Sequence, residues 1–425
     1  MIIRPARSIS GAVSVPGDKS ISHRSAIIGA MAIGDTRIEN FLSGEDCLST
    51  LNCLRDLGVS IDQNGTDVVV KGVGKTGFLP PSRPLDCGNS GTTMRLMAGL
   101  LAGQQFTSVL TGDDSLRKRP MRRIIEPLVK MGASIESNDG FAPLTIHGRN
   151  PLNPISYRTP VSSAQLKSCV MLAGLNGDGM STVEEDIQTR DHSERMLAHF
   201  GFETRKDGKI VIDGSSTLKA ADIVVPGDIS SAAFFMIAAA ILPGSELEIR
   251  NVGINGSRAY LVEKLKTLGV DINIEIADAE YFEPVANLIV RGGVKYEGKA
   301  IISGKEIALL IDEVPILAVL GSQLDGGLEV RDASELRIKE TDRISAIVEN
   351  LRRMSATVEE FDDGFRVARS QLKGAEIDSF GDHRIAMAFA VAGLVASGET
   401  TIINSECADI SFPGFYGLLD SVVKR

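Results

Sequence analysis

The chain has 425 residues, 43% of them hydrophobic, and a formal net charge of −10. That length exceeds one ordinary core and makes two domains the expectation, while the acidic balance argues against a nucleic-acid binder, which usually carries a basic face. The longest apolar run, Ala232 to Leu242, is too short to span a bilayer.

The five cysteines are scattered without a CxxC, and no His/Cys group has zinc spacing. Reduced structural thiols and no metal site are therefore expected. The N-terminal MIIRPARSISG lacks the apolar core of an export signal, which points to the cytoplasm.

In chain order, the alternating strand Gly11 to Val15 leads into Pro16 to Arg24, PGDKSISHR, and then an apolar helical run. Asp18 or Ser20 caps that helix, whose first turn carries Lys19, Ser20, Ser22 and Arg24. Unpaired N–H groups, hydroxyls and two cations at one helix start suit a phosphate or carboxylate. A Gly-Asp turn, a strand, an amphipathic helix ending at Gly58 and two further strands follow.

This order recurs. Polar openings stand at Gly88 to Gly91, Ser162 to Gln165, Gly227 to Ser230, Asp312 to Pro315 and Gly381 to Arg384, and helix stops resembling LGV recur at 57–59, 131–133, 200–202, 268–270 and 354–356. The chain thus reads as six units roughly 65 to 85 residues apart. Each mixes a small-residue helix, expected to be buried all round, with an amphipathic helix and alternating strands. The class is α/β (or α+β), in two lobes of three units. The predicted lobes are 17–226 and 1–16 plus 227–425, the first residues pairing with the C-terminal lobe. If the buried helices of each lobe run parallel, their polar openings converge on one anion-attracting cleft that closes on its ligand.

Gly72 to Thr76 looks like part of a P-loop, but its first glycine is missing and Pro80-Pro81 bar the helix, so a strand-end loop is expected. Asn89 to Thr93 is a small-residue turn entering a helix, where Gly91 allows close backbone approach and Asn89 and Thr92 can hold an anion. In Gly112 to Pro120, Pro120 fixes the direction of Arg119 as a clamp. The third unit offers Ser162, Ser163, Gln165, Lys167 and Arg190 to a hydroxylated, phosphorylated ligand. Asp191 and His192 read equally as a capped helix start. Asp312-Glu313 supplies acids. Glu335 to Arg343 reads as an exposed helix start with i,i+4 pairs. The pair His383-Arg384, opening an entirely apolar helix, needs an anionic partner to offset its desolvation.

Together PGDKSISHR (16–24), GNSGTTMR (88–95), GDDSLRKRPM (112–121), SSAQLKS (162–168), TRDHSER (189–195), PGDISSAAF (226–234), DEVPILAV (312–319), ELRIKETDR (335–343), GDHRIAMA (381–388) and SFP (411–413) closely resemble the 5-enolpyruvylshikimate-3-phosphate synthase family. The resemblance implies a two-lobed fold of three β-α-β-α-β-β units per lobe. It implies transfer of the enolpyruvyl group of phosphoenolpyruvate to the 5-hydroxyl of shikimate 3-phosphate, with release of phosphate and without metal or organic cofactor. By the family pattern Lys19, Ser20, Arg24, Ser163, Gln165, Arg190, Asp312 and Lys339 hold shikimate 3-phosphate. Lys19, Gly91, Arg119, Arg343 and Arg384 hold phosphoenolpyruvate, with Asn89, Ser162, Ala164 and His383 as further candidates. Glu340, Asp312 and Lys19 are the expected catalytic residues, and small-molecule substrates, a monomer and no membrane or nucleic-acid partner are implied.

The chain departs from the plant and enteric pattern NAGTAMRP at Ser90, Thr93 and Leu96. It also has Ile410 where many members carry a lysine before the TFP-like stretch. Glyphosate is the family's inhibitor, and Gly91 keeps room for it. The sister family that uses UDP-N-acetylglucosamine fits less well, because SLRKRPM, SSAQ and TRDH are of the shikimate type. A nucleic-acid clamp conflicts with the acidic balance.

Overall fold

The computed structural model describes residues 1–206, 209–279, 281–295 and 297–425, which divide into two compact units, Gly17–Val225 and Met1–Pro16 with Pro226–Arg425. The first unit holds the helices α1 (Lys19–Met31), α2 (Glu45–Asp56), α3 (Gly91–Ala102), α4 (Arg122–Lys130), α5 (Ala164–Gly174) and α6 (His192–His199). The second holds α7 (Ile229–Ile241), α8 (Tyr260–Thr267), α9 (Lys305–Leu310), α10 (Val314–Gly321), α11 (Arg343–Arg353), α12 (His383–Val395) and α13 (Phe415–Val422).

The first unit contains three four-stranded sheets of one topology. In the middle one, Leu85–Asp86 runs parallel to Thr107–Thr111, which pairs antiparallel with Phe141–His147, itself antiparallel to Ser134–Asn138. The parallel pair needs a crossover, and α3 supplies it. Ser156–Arg158, Met180–Glu184, Lys209–Asp213 and Arg205–Lys206 repeat the pattern around α5. In the remaining sheet the parallel partner of Ile33–Glu39 is Ile223–Val224, the last strand of the unit. The same substitution occurs in the second unit, where Ser8–Ser14 runs parallel to Glu246–Gly253 and Ile2–Ile3 pairs antiparallel with Thr400–Ile403. Each unit is therefore closed by a strand distant in sequence from the helix it accompanies.

Composition explains the layering. Every residue of α7 and nearly every residue of α12 is buried, because ISSAAFFMIAAAI and HRIAMAFAVAGLV have no polar face to expose. The companion helices are amphipathic: in α4 only Ile124, Pro127 and Leu128 are buried. α3 and α5 approach so closely that a Cβ on Gly99 would stand 2.3 Å from the Cys169 carbonyl oxygen, so glycine is required there. In the second unit α7, α10 and α12 pack together. Phe412 of the SFP stretch joins this core, its ring 5.9 Å from Phe235 and 5.3 Å from Phe415. Ile410 packs partly buried against the same core.

All five cysteines are buried and free, and burial pushes the Cys169 thiol up to about 12. The loop after Asp67–Val73 is not a nucleotide cradle: Lys75 donates to the carbonyl of Leu175 at 2.8 Å and to that of Gly214, tying two repeats together. No helix among the described residues is long and apolar enough to cross a membrane.

Candidate active site

Each inner helix but α10 begins at a side-chain cap that sits in one of the polar openings. Asp18 accepts from Ile21 N, Ser90 from Thr93 N, Ser163 from Leu166 N, Asp228 from Ser230 N, and Asp382 from Arg384 N and Ile385 N. Such caps fix where the chain enters the helix and satisfy one or two of the backbone N–H groups that its start leaves unpaired.

In the unit Gly17–Val225 the starts of α1, α3 and α5 are joined by hydrogen bonds. Gln165 donates to Thr92 Oγ1 at 2.9 Å and accepts from Arg95 at 2.6 Å. Lys19 Nζ lies 3.0 Å from Asp46 Oδ2 in the first turn of α2. Arg119 donates to Asn89 Oδ1 at 2.7 Å, and Asn89 in turn donates to Asp113 at 2.6 Å. A Cβ built on Gly91 would stand 2.8 Å from Arg95 Nη1 and 3.4 Å from Arg119 Nη1. Gly91 is thus the floor beneath two guanidinium groups.

Arg24 is buried: its Nε donates to Ser193 Oγ and its Nη2 to Ser168 Oγ, both at 2.7 Å, and its Nη1 to the Ser20 carbonyl at 2.9 Å. It links α1, α5 and α6. Ser162 and Ala164 flank the cap Ser163, half-buried at the start of α5. Arg190 is half-buried in the loop before α6. Lys167, read from the sequence as a group for a hydroxylated ligand, is fully buried between Glu185 at 2.8 Å and Glu194 at 2.9 Å. It anchors the Arg190 loop, because Glu185 also accepts from the hydroxyl and the backbone N–H of Thr189.

In the unit formed by Met1–Pro16 and Pro226–Arg425, the starts of α10, α11 and α12 gather the charges. The Asp312 carboxylate lies 3.7 Å from Arg343, 3.9 Å from Lys339 and 3.9 Å from Arg384. Arg384 also donates to the Asp312 carbonyl at 2.7 Å. Arg343 is held by Glu340 and Asp382, both at 2.7 Å. Burial alone opposes the Arg343 charge, but Asp382, Glu340 and Asp312 overcome it and raise the guanidinium above its ordinary value. For Lys339 the balance goes the other way. Burial lowers its ammonium below the ordinary lysine value, and Asp312 counters this only in part. Glu313 turns away to Ser230 at the start of α7 and to Arg258 in the loop before α8. His383 is buried at the first position of α12.

The segment Glu335 to Arg343 is not an exposed helix start. Ser334–Ile338 forms a short 3-10 turn, and α11 begins only at Arg343, capped by Asp342. Arg343 is drawn inward because its partner Asp382 lies in another repeat. Arg337 is tied to Asp342 at 2.7 Å and Glu360 at 3.1 Å, which explains the remaining charge of the run.

Sequence reasoning missed Asp46 and Arg95 as site residues. Arg95 stands one helical turn after Gly91 and so shares its face, a signal the motif did carry. Asp46 carries none, because only packing of α2 on α1 brings it to Lys19.

Both clusters present cations whose partners are carboxylates, amides or carbonyls, an arrangement that can exchange those partners for phosphate and carboxylate oxygens. The comparisons fit this chemistry. The family model described as EPSP synthase (3-phosphoshikimate 1-carboxyvinyltransferase) matches residues 3–419. A 3-phosphoshikimate 1-carboxyvinyltransferase of Geobacter sp. (strain M21) is 50% identical over 427 residues, covering 100% of this chain and 99% of the relative. One of Bacillus licheniformis is 46% identical over 423 residues, covering 98% of each. A solved EPSP synthase from Acinetobacter baumannii superposes with a TM-score of 0.87 at 42% identity, covering 99% of this chain and 97% of that one. The chain belongs to the EPSP synthase (3-phosphoshikimate 1-carboxyvinyltransferase) family.

Proposed function

We propose a division of labour among the residues of this chain for the reaction its family membership assigns: transfer of the enolpyruvyl group of phosphoenolpyruvate to the 5-hydroxyl of shikimate 3-phosphate, with release of phosphate. The observation that carries the proposal is the gathering of Asp312, Lys339, Glu340, Arg343 and Arg384 at three adjacent helix starts. Each substrate brings a phosphate of about −2 and a carboxylate, so roughly six negative charges have to be met.

Lys19, Ser20, Ser163, Gln165, Arg190, Asp312 and Lys339 hold shikimate 3-phosphate. Arg24 belongs to this set through its bonds to Ser20 and Ser168, which fix the helix starts that carry the others. Lys19, Gly91, Arg119, Arg343 and Arg384 hold phosphoenolpyruvate, and Asn89 orients Arg119. Ser162, Ala164 and His383 are further candidates for substrate contact.

Attack of the 5-hydroxyl oxygen on the substituted enol carbon forms a C–O bond while the methylene carbon takes a proton. The hydroxyl proton passes to Asp312, and the methylene proton comes from Glu340. In the resulting tetrahedral adduct Glu340 takes a proton back from the methyl group, the double bond re-forms and phosphate leaves with its bonding pair, taking up the proton that Asp312 received from the hydroxyl. Lys19 stabilises the charge on the departing oxygen. Proton transfer by a positioned carboxylate is typically worth about 10²–10⁴-fold.

The protein is proposed to act as a monomer in the cytoplasm. The test is phosphate release from phosphoenolpyruvate by the purified protein with either shikimate 3-phosphate or UDP-N-acetylglucosamine as acceptor. Release with the first alone is expected, and release with the second alone would overturn the reading.

A further inference from the structure

A buried chain of hydroxyl groups connects α1, α2 and α3 and has no part in the chemistry above. His23 Nδ1 lies 2.7 Å from Thr50 Oγ1, which lies 2.7 Å from Thr93 Oγ1. Thr93 Oγ1 in turn reaches Ser90 Oγ at 2.8 Å and the Asp46 carbonyl at 3.2 Å. All four side chains are buried.

The direction of the chain follows from the imidazole. Burial, and then the nearby Lys19 and Arg24 charges, lower the His23 pKa well below its ordinary value, so the ring is neutral. Its Nε2 is buried without a hydrogen-bond partner among the described residues. A lone acceptor is tolerated there better than a lone N–H, which puts the proton on Nδ1. Nδ1–H then donates to Thr50, Thr50 donates to Thr93, and Thr93 divides its single proton between Ser90 Oγ and the Asp46 carbonyl.

Thr93 is therefore a node between two places that matter. Asp46 is the carboxylate that holds Lys19, and Ser90 immediately precedes Gly91 and caps α3. Ser90 and Thr93 each bring a hydroxyl to this link. An alanine pair cannot build this link.

We propose that Thr93 is a positioning residue that fixes the Gly91 turn relative to Asp46 and Lys19, and so sets the affinity for phosphoenolpyruvate. The inference rests on the reading that the Gly91 turn receives that substrate. Thr93→Val keeps the side-chain shape and removes the hydroxyl, Thr93→Ser keeps the hydroxyl, and Thr50→Val breaks the chain one link earlier.

The experiment is steady-state kinetics of the full chain for these variants, the Thr50→Val/Thr93→Val double variant and Gly91→Ala. Thr93→Val is expected to raise KM for phosphoenolpyruvate about tenfold, with kcat changed less than about twofold, and Thr93→Ser to restore the native KM. Thr50→Val is expected to act in the same direction, and the double variant to be no worse than the poorer single one, as for residues acting as a unit. If Gly91→Ala raises that KM and Thr93→Val does not, the inference is overturned while the site reading stands. If neither raises it, both are overturned. Multiplying effects of the two valine substitutions also overturn it. Should Thr93→Val fail to fold, Thr50→Val and Thr93→Ser decide: a native KM in Thr50→Val, or a KM in Thr93→Ser as high as that of Gly91→Ala, overturns the inference.

Discussion

Arg343 and Asp382 form a buried ion pair, Nε donating to Oδ2 at 2.7 Å, with side-chain exposures of 1% and 0%. The same carboxylate caps α12 by accepting from the backbone of Arg384 at 2.8 Å. One acid thus aims two of the cations proposed to hold phosphoenolpyruvate, one through its side chain and one through its helix.

Asp382→Asn separates these roles, because asparagine caps a helix about as well as aspartate but removes the carboxylate that faces Arg343 Nε, leaving Glu340 and Asp312 to balance the charge. Breaking a buried pair from one side costs about 3–5 kcal/mol. Urea denaturation is expected to show a loss of that order in the transition of the unit containing α12. A loss under about 1 kcal/mol would mean that the charge is already balanced by Glu340 and Asp312.

Gly91→Ala tests the floor of the other cluster. The new Cβ would stand 2.8 Å from Arg95 Nη1 and 3.4 Å from Arg119 Nη1. Arg95 is restrained by Gln165 and Arg119 by Asn89, so the displacement falls on groups that cannot move freely. KM for phosphoenolpyruvate is expected to rise about tenfold or more, corresponding to one disturbed charge-assisted hydrogen bond, with a much smaller change for shikimate 3-phosphate. Equal effects on both substrates would argue that the turn supports the whole unit and not one subsite.

The lowered Lys339 pKa gives a pH dependence whose sign can be stated. The protonated form binds an anionic substrate, so kcat/KM for shikimate 3-phosphate is expected to fall as pH rises through a value below the ordinary 10.5 for lysine. Stability moves in the opposite sense. Between the folded and unfolded pKa values the unfolded chain binds more protons, so stability rises with pH there. Lys339→Arg keeps the charge at all accessible pH and is expected to move the alkaline limb upward. A limb that stays in place would assign it to another group.

The repeats were legible because helix-start chemistry is local. Asp18, Ser90, Ser163, Asp228 and Asp382 cap helices through the backbone of their own next residues, and the sequence shows cap and apolar run side by side. The buried inner helices were legible for the same reason, since ISSAAFFMIAAAI has only one way to satisfy water. What could not be read are pairings across repeats. The partner of Arg343 lies 39 residues away, so the alternating charges around it read as an exposed helix when Arg343 is in fact among the most buried large side chains. Lys167 misled similarly: it stands with Ser162, Ser163 and Gln165 in the third opening and read as a ligand group, whereas Glu185 and Glu194 enclose it. Arg24 was legible as an important cation, but its bonds to Ser168 and Ser193 depend on how α1 packs on α5 and α6.

The assignment of Glu340 as the group that moves the methylene proton is tested most directly by solvent deuterium exchange. Phosphoenolpyruvate is incubated with the protein and shikimate 3-phosphate in deuterated water, then recovered and its methylene isotope content measured. For Glu340→Gln, exchange is expected to fall by about 10²–10⁴-fold, while the calorimetric affinity for shikimate 3-phosphate stays within about twofold of native. Exchange within about tenfold of native, or loss of shikimate 3-phosphate binding, would contradict the assignment and leave Glu340 as the partner that holds Arg343.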